Sequence, residues 1–178
     1  MKAISKEDFN MNQPENTEFL IPLIEQRGYS SGIEIGVRRG EFSSYLCYKI
    51  PKLKMIAVDA WAQIGEMVET YPHEENYQKA IQNFAPFQDR ISVIRAPFNI
   101  AAAKIPNDSV DFIFIDGTHT AEAVARDIAD FGPKVRKGGI IAGHDYHVHW
   151  DDGKLKKYLD ALNGLSVDEY TCWWIEKK

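Results

Sequence analysis

Short apolar runs alternate with amphipathic segments along most of this 178-residue chain, and this alternation restricts the fold more than any other feature. Each run is too short for a helix and rich in Ile and Val, which favours buried strands. The segments between the runs repeat apolar residues at helical spacing, as Phe42, Tyr45 and Leu46 do. Strands that alternate with helices predict a parallel sheet with helices on both faces. The five runs are Ile33–Val37, Met55–Val58, Ile91–Ile94, Phe112–Ile115 and Ile140–Ala142.

One domain accounts for nearly the whole chain. The length and the 44% hydrophobic share fit a single globular domain, since domains mostly contain roughly 100–200 residues. Residues 1–16 are polar and contain Pro14, so we expect a loose N-terminal arm before one domain over residues 17–178. Segment Tyr170–Ile175 predicts a last, antiparallel strand. The predicted fold is therefore α/β, a doubly wound, Rossmann-like sheet that is mostly parallel with an antiparallel C-terminal edge strand.

The composition argues against several classes of partner. A net charge of −5 is unfavourable for nucleic-acid binding, which needs a basic face. No apolar stretch approaches the roughly 20 residues that span a bilayer, and the first ten residues lack the apolar core of a signal peptide. Cys47 and Cys172 lie far apart, which suits a reducing cytoplasm. Trp173 and Trp174 can pack across a homo-oligomer interface or cap the core, and we favour the second interpretation.

Polar residues follow the first two runs, where ligands bind in open α/β sheets. In the pattern Glu34-x-Gly36-x-x-x-Gly40, Gly36 permits a tight turn and a close backbone approach, but the spacing is not that of a pyrophosphate-binding loop. Asp59 comes directly after the second run and can accept both hydroxyls of a ribose. The alternatives are ordinary turn glycines and an Asp59 that caps a helix or lies in a surface turn. Taken together, these residues favour an adenosine-type ligand without a pyrophosphate.

A second polar cluster follows the fourth and fifth runs. Ends of neighbouring strands lie about 5 Å apart, so Asp116 and Asp145 can meet at one cation. Two carboxylates suit Mg²⁺, and His144 would shift the preference towards Mn²⁺ or another transition metal. The alternative is that His144 and Asp145 are polar loop residues without a ligand.

His119 is a candidate proton acceptor, because a neutral imidazole three positions after Asp116 can take a proton from a substrate hydroxyl. The position also suits a helix-entry residue beside Thr118 or Thr120, either of which can cap the helix. The residue pattern leaves the two interpretations equally open.

These motifs together resemble the class I S-adenosylmethionine-dependent methyltransferases. They look most like the small-molecule O-methyltransferase branch that includes the catechol and macrolide-sugar methyltransferases. The resemblance covers roughly residues 30–150 and is carried by residues 33–40, 58–61, 111–119 and 137–146. It implies that Glu34 and Gly36 line the methionine part of S-adenosylmethionine, that Asp59 holds the ribose, and that Ala96 to Phe98 lie near the adenine. The implied cofactor-binding residues are Glu34, Gly36, Gly40, Asp59, Ala96, Phe98 and Asp116.

The same resemblance implies a metal site and a base. Asp116, His144 and Asp145 fall where this branch carries its metal ligands, although His144 stands where an acid is common. His119 takes the position of the catalytic lysine of catechol methyltransferases and is the expected catalytic residue. The implied cofactors are S-adenosylmethionine and, where a metal assists, Mg²⁺ or Mn²⁺.

We therefore expect an S-adenosylmethionine-dependent methyltransferase that modifies an oxygen of a small molecule. A metal-dependent hydrolase on a similar fold would use only the second cluster, and a non-catalytic cofactor-binding module would bind without turnover. Two aromatic segments are candidate lids over a planar or sugar-bearing acceptor, Trp61–His73 and Tyr146–Gly153.

Overall fold

The computed structural model of the protein describes residues 13–63, 72–147 and 151–178. Its strands are β1 (Ser31–Ile35), β2 (Lys54–Asp59), β3 (Ile91–Arg95), β4 (Val110–Ile115), β5 (Val135–Gly143), β6 (Ser166–Val167) and β7 (Trp173–Glu176). Its α-helices are α1 (Leu20–Arg27), α2 (Glu41–Lys49), α3 (His73–Phe84), α4 (Phe98–Ala102), α5 (Ala121–Phe131) and α6 (Lys154–Asp160). Short 3₁₀ turns occupy Glu15–Thr17, Ala85–Phe87 and Gly132–Lys134.

The strands form one seven-stranded sheet in the order β3-β2-β1-β4-β5-β7-β6. Strands β1 to β5 are parallel, and β7 runs antiparallel to β5. The predicted doubly wound sheet and its antiparallel C-terminal strand are therefore confirmed. The two-residue strand β6, which the sequence did not predict, pairs with the outer side of β7, so β6 and not β7 forms that edge.

The sheet separates two apolar layers. Strand β4 is buried along its whole length, and its side chains alternate between the layers. Phe112 and Phe114 face helices α1, α2 and α3, while Ile113 and Ile115 face α4, α5 and α6. Because helices cover both faces, the inner strands are continuously apolar, which is why the sequence shows them as short apolar runs.

The two tryptophans of β7 belong to the core of the chain. Trp173 is fully buried, and the ring of Trp174 stacks on Phe19 at a centroid distance of 4.8 Å. Both contacts support the core-capping interpretation of these residues. None of the helices within the described ranges has the length and apolar content needed to cross a bilayer.

The amino ends of β1 and β4 are joined by a buried acid. The side chain of Asp111 is 0% exposed, and its Oδ2 accepts hydrogen bonds from the backbone amides of Ser30 at 2.6 Å and Ser31 at 2.9 Å. Its Oδ1 contacts the guanidinium of Arg136. This contact lies at the opposite end of the sheet from the polar clusters, so its role is structural.

Candidate functional site

The carboxyl ends of four neighbouring strands bring the predicted site residues to one edge of the sheet. Ile35 of β1 pairs with Val58 of β2 and with Ile115 of β4, and Ile115 in turn pairs with Gly143 of β5. The residues that follow these positions are therefore level with one another. Both polar clusters predicted from the sequence consequently lie at the same edge.

The loop after β1 requires glycine at its first position. Gly36 has φ 88°, and a Cβ at this position would lie 2.3 Å from the backbone oxygen of Asp116. Gly40 has φ 77°, and a Cβ there would lie 2.6 Å from the ring of Phe84. Gly36 therefore permits close contact between the ends of β1 and β4, whereas Gly40 permits packing of α2 against α3.

Asp59 lies under this loop and binds its backbone. Its Oδ2 accepts hydrogen bonds from the amides of Val37 and Arg38, both at 2.9 Å, and its Oδ1 accepts one from the amide of Trp61 at 2.8 Å. A carboxylate offers about four acceptor positions, so Asp59 retains room for a hydrogen bond from a ligand. Asp59 caps none of the described helices, but its bond to the amide of Trp61 is that of a turn residue, which is the other alternative for this position. Ribose binding stays a prediction.

Glu34 faces inward rather than towards the open edge. It is 2% exposed, and its Oε2 accepts a hydrogen bond of 2.5 Å from the hydroxyl of Ser43 in α2. Burial raises the pKa of Glu34 well above its ordinary value, with a smaller contribution from the negative charge of Asp116. This buried acid therefore links β1 to helix α2. Contact between Glu34 and a cofactor stays a prediction.

The end of β3 continues the same edge beside Asp59. The amide of Ala96 donates to the backbone oxygen of Asp59 at 3.1 Å, and Ala96 is buried. The ring of Phe98 packs against Gly117, where a Cβ would lie 2.8 Å from it. Ala96 thus borders the half of the edge that contains Asp59, whereas Phe98 packs against the residue after Asp116. Contact of either residue with an adenine stays a prediction.

Asp116, His144 and Asp145 converge as predicted. One ligand atom from each residue lies within 4.8 Å of the others. The Nδ1 atom of His144 is 3.2 Å from Asp145 Oδ1 and 3.9 Å from Asp116 Oδ1. Their side chains are between 23% and 28% exposed, so the cluster is open to a ligand. Two carboxylates and an imidazole form a donor set suited to a divalent first-row metal.

The charged groups in this cluster shift one another's pKa values. Burial raises the pKa of Asp116, although the two nearby histidines oppose this effect. Burial would lower the pKa of His144, but the hydrogen bond to Asp145 and the charge of Asp116 outweigh it, so the pKa is raised. Burial would raise the pKa of Asp145, but His144 and His119 outweigh it, so the pKa is lowered.

His119 approaches the same carboxylate from the other side. Its Nδ1 is 3.1 Å from Asp145 Oδ2, and its Nε2 is 3.9 Å from Asp116 Oδ1. Helix α5 is capped by Thr120, whose hydroxyl accepts from the amide of Ala123 at 3.2 Å. His119 is therefore a helix-entry residue beside the cap, as the alternative interpretation expects, and its role as a base stays a prediction. Asp145 therefore lies between two imidazoles and offers one carboxylate oxygen to each.

Two further residues reach this cluster, and sequence reasoning missed both. The side-chain amide of Asn16 donates to Asp116 Oδ2 at 3.3 Å, and the hydroxyl of Thr171 is 3.4 Å from His144 Nε2.

Residues 1–16 were predicted to be a loose arm, but the segment from residue 13 onwards packs against the domain. The hydroxyl of Tyr45 donates to Gln13 Oε1 at 2.8 Å. Residues 1–12 lie outside the described ranges.

The two candidate lids are described only at their ends. Trp61 is buried, its indole donates to the backbone oxygen of Arg38 at 2.7 Å, and its ring packs against Tyr77, so it anchors the glycine loop. Tyr146 is also buried and donates to Asp160 at 2.5 Å. Residues 64–71, which make up most of the first predicted lid, and residues 148–150, in the middle of the second, lie outside the described ranges.

A family model described as a methyltransferase domain matches residues 33–146, which include every residue of the two polar clusters. The chain therefore belongs to this family of methyltransferase domains. None of the curated proteins that were searched matches it.

Solved structures share the fold at low sequence identity. An O-methyltransferase from Bacillus cereus, in complex with S-adenosylhomocysteine (SAH), is 17% identical with a TM-score of 0.63, over 98% of this chain and 84% of that one. An SAH-bound methyltransferase from Podospora anserina is 16% identical with a TM-score of 0.63, over 98% and 82%. A Staphylococcus aureus protein provisionally described as a caffeoyl-CoA O-methyltransferase is 14% identical with a TM-score of 0.67, over 96% and 87%. At these identities the likeness establishes the fold.

Proposed function

We propose that this methyltransferase transfers a methyl group from S-adenosylmethionine to a hydroxyl oxygen of a small molecule, with the help of a divalent metal. One observation carries the proposal. The loop of Gly36 with Asp59 beneath it, and the cluster of Asp116, His144 and Asp145, lie at the same edge of one sheet. One cluster suits an adenosine-type cofactor, and the other suits a metal and its bound acceptor.

The cofactor half is supported by the family and by two of the similar structures, which were determined with SAH. Asp59 has an unused acceptor position, and Ala96 continues the edge beside it. We infer that the adenosine lies along the β1-β2-β3 half of the edge. The methionine part then lies beside Gly36, towards Asp116.

The metal half is supported by the donor set. Asp116 and Asp145 supply carboxylate oxygens, and His144 supplies a nitrogen. These ligand atoms lie within 4.8 Å of one another. The imidazole favours Mn²⁺ or another first-row transition metal over Mg²⁺, which prefers oxygen ligands. A bound divalent metal would lower the pKa of an acceptor hydroxyl attached to it.

His119 is the proposed catalytic base. When Nδ1 carries the ring proton, this N–H donates a hydrogen bond to Asp145 Oδ2, and Nε2 keeps a free lone pair. That nitrogen takes the proton of the acceptor hydroxyl. The acceptor oxygen then bonds to the methyl carbon, and the carbon–sulfur bond breaks with its electron pair staying on sulfur, so that SAH is released. Alignment of the two bound reactants supplies much of the rate, roughly 7–11 kcal/mol.

The acceptor and the cellular location are further parts of the proposal. A small-molecule acceptor is proposed from the small-molecule branch that the motifs resemble, and the partial exposure of Asp116 and His144 leaves the cluster accessible to one. We infer a cytoplasmic location because Cys47 and Cys172 are both free thiols. No specific observation favours the alternatives, which are a metal-dependent hydrolase and a non-catalytic module.

Calorimetric titration of the purified protein with S-adenosylmethionine and SAH tests the cofactor half, with and without Mn²⁺ or Mg²⁺. We expect micromolar dissociation constants, and a stronger effect of Mn²⁺ than of Mg²⁺. Transfer of labelled methyl groups to a panel of catechols and sugars then tests turnover. Absence of binding to SAH under every condition would overturn the proposal, and binding without turnover on any acceptor would favour the non-catalytic module.

A further inference from the structure

We propose that Asn16 is a functional part of the metal site. Its amide nitrogen holds Asp116 in the orientation that a metal ligand needs. The inference rests on the metal-assisted reaction proposed above and adds a residue from outside the sheet. It concerns the β4-β5-β7 half of the edge, whereas the cofactor lies on the other half.

The segment that carries Asn16 is held firmly against the domain. Thr17 is fully buried, and its hydroxyl donates to the backbone oxygen of Pro14 at 2.7 Å. Gln13 accepts the hydroxyl of Tyr45 from α2, and the thiol of Cys172 lies 3.9 Å from the backbone oxygen of Asn16. The burial of Thr17 and the contact with Cys172 therefore hold Asn16 beside the end of β4, and the Gln13 contact lies farther along the segment.

The nitrogen side of the Asn16 amide determines how Asp116 is presented. Asn16 Nδ2 lies 3.3 Å from Asp116 Oδ2, and an ionised carboxylate only accepts, so the group facing it is the NH₂. Because Oδ2 is held there, Oδ1 faces the cluster, at 3.9 Å from both His119 Nε2 and His144 Nδ1. Groups that orient a metal ligand in this way typically change metal affinity 10- to 100-fold.

The oxygen side of the same amide lacks a donor. Asn16 Oδ1 is buried and has no hydrogen-bond partner among the residues that the structure describes. A buried carbonyl oxygen is costly when it stays unpaired, so a ligand that brings a donor to this position is favoured. The assignment of Asn16 to the site therefore rests on the nitrogen side of its amide, which contacts Asp116.

Electron paramagnetic resonance titration of Mn²⁺ into the full chain tests this inference. We expect N16A and N16S to bind Mn²⁺ about 10- to 100-fold more weakly than the wild type. The serine variant keeps a polar side chain at position 16, but its hydroxyl is too short to reach Asp116. It therefore separates loss of the hydrogen bond from loss of polarity. Q13A is the matched control, since Gln13 lies in the same segment but contacts Tyr45 instead of Asp116. We expect Q13A to bind Mn²⁺ within twofold of the wild type, and all variants to bind SAH equally in the absence of metal.

An unchanged Mn²⁺ affinity in N16A and N16S would overturn the inference. So would an equal loss in Q13A, because it would show that docking of the segment matters and not the Asn16 amide. Failure of both Asn16 variants to fold, seen by thermal melting, would make the residue structural and would also refute the role. If the wild type binds no Mn²⁺ but binds SAH, this inference and the metal half fail while the cofactor half of the proposed function stands.

Discussion

Replacing Asp59 by alanine should separate two contributions of its carboxylate, one to the fold and one to cofactor binding. In the folded chain this carboxylate binds the amides of Val37, Arg38 and Trp61 at 2.8–2.9 Å. It thereby joins the end of β2 to the glycine loop. The variant leaves these amides without their acceptor, so we expect a less stable protein as well as a weaker cofactor complex.

The loss can be estimated from the three contacts. A hydrogen bond to a charged group contributes about 1.5–3 kcal/mol, so complete loss would cost roughly 5–9 kcal/mol. Arg38 is exposed and Asp59 is only half-buried, so in the variant water can form hydrogen bonds to the freed amides and reduce the loss of stability. We expect a net loss of about 2–4 kcal/mol, which lowers the melting temperature by about 5–15 °C in a domain of this size. A lost ribose hydrogen bond should weaken SAH binding about 10- to 100-fold.

Thermal unfolding followed by circular dichroism, together with SAH titration below the melting range, measures both effects. D59N keeps one acceptor oxygen and should melt between the wild type and D59A. The exposed Asp89 gives the control D89A, which should change neither quantity. A melting temperature of D59A within about 2 °C of the wild type would refute the structural part of the reasoning. Unchanged SAH affinity would refute the ribose part.

Three further variants test other parts of the chain. H119Q should lower turnover at least 100-fold while SAH affinity stays within threefold; an equal loss of both would mean that His119 is structural. D111A should cost about 3–5 kcal/mol in denaturant unfolding because it removes a buried acceptor of two amides, whereas D108A, which removes an exposed ion pair with Lys177, should cost under about 1 kcal/mol. Burial raises the pKa of Asp127 to about 7, so its protonated form favours the folded state. Stability should therefore fall as the pH rises from about 4 to 7, and D127N should show a smaller fall; an equal slope in both proteins would contradict this.

The parallel sheet was predictable because each inner strand is covered on both faces and therefore appears as an apolar run. The limits of β5 were not predictable, because the strand spans Val135–Gly143 and includes the exposed residues Arg136 and Lys137. Its first residue pairs with Val110 across an irregular register, which no local pattern reveals. Strand β6 has two residues and is equally invisible to periodicity.

The convergence of Asp116, His144 and Asp145 was predictable for a related reason. Residues that directly follow parallel strands meet at one edge, so their positions after the apolar runs were sufficient. Asn16 comes from a segment without periodicity and contacts a residue 100 positions away, so its part in the site is visible only in three dimensions. The contacts of Asp59 with the glycine loop likewise depend on the path of the backbone.

Both ends of the described chain contact the cluster proposed to bind the metal, and this has a consequence for the order in which the protein folds. Asn16 precedes the first strand and Thr171 precedes β7, yet both contact residues at the ends of β4 and β5. The glycine loop and Asp59 need only the earlier strands. A partly folded chain that lacks β7 should therefore gain affinity for the nucleoside before it gains affinity for the ion. Ion binding in this protein would then report on completion of folding, and nucleoside binding on its beginning.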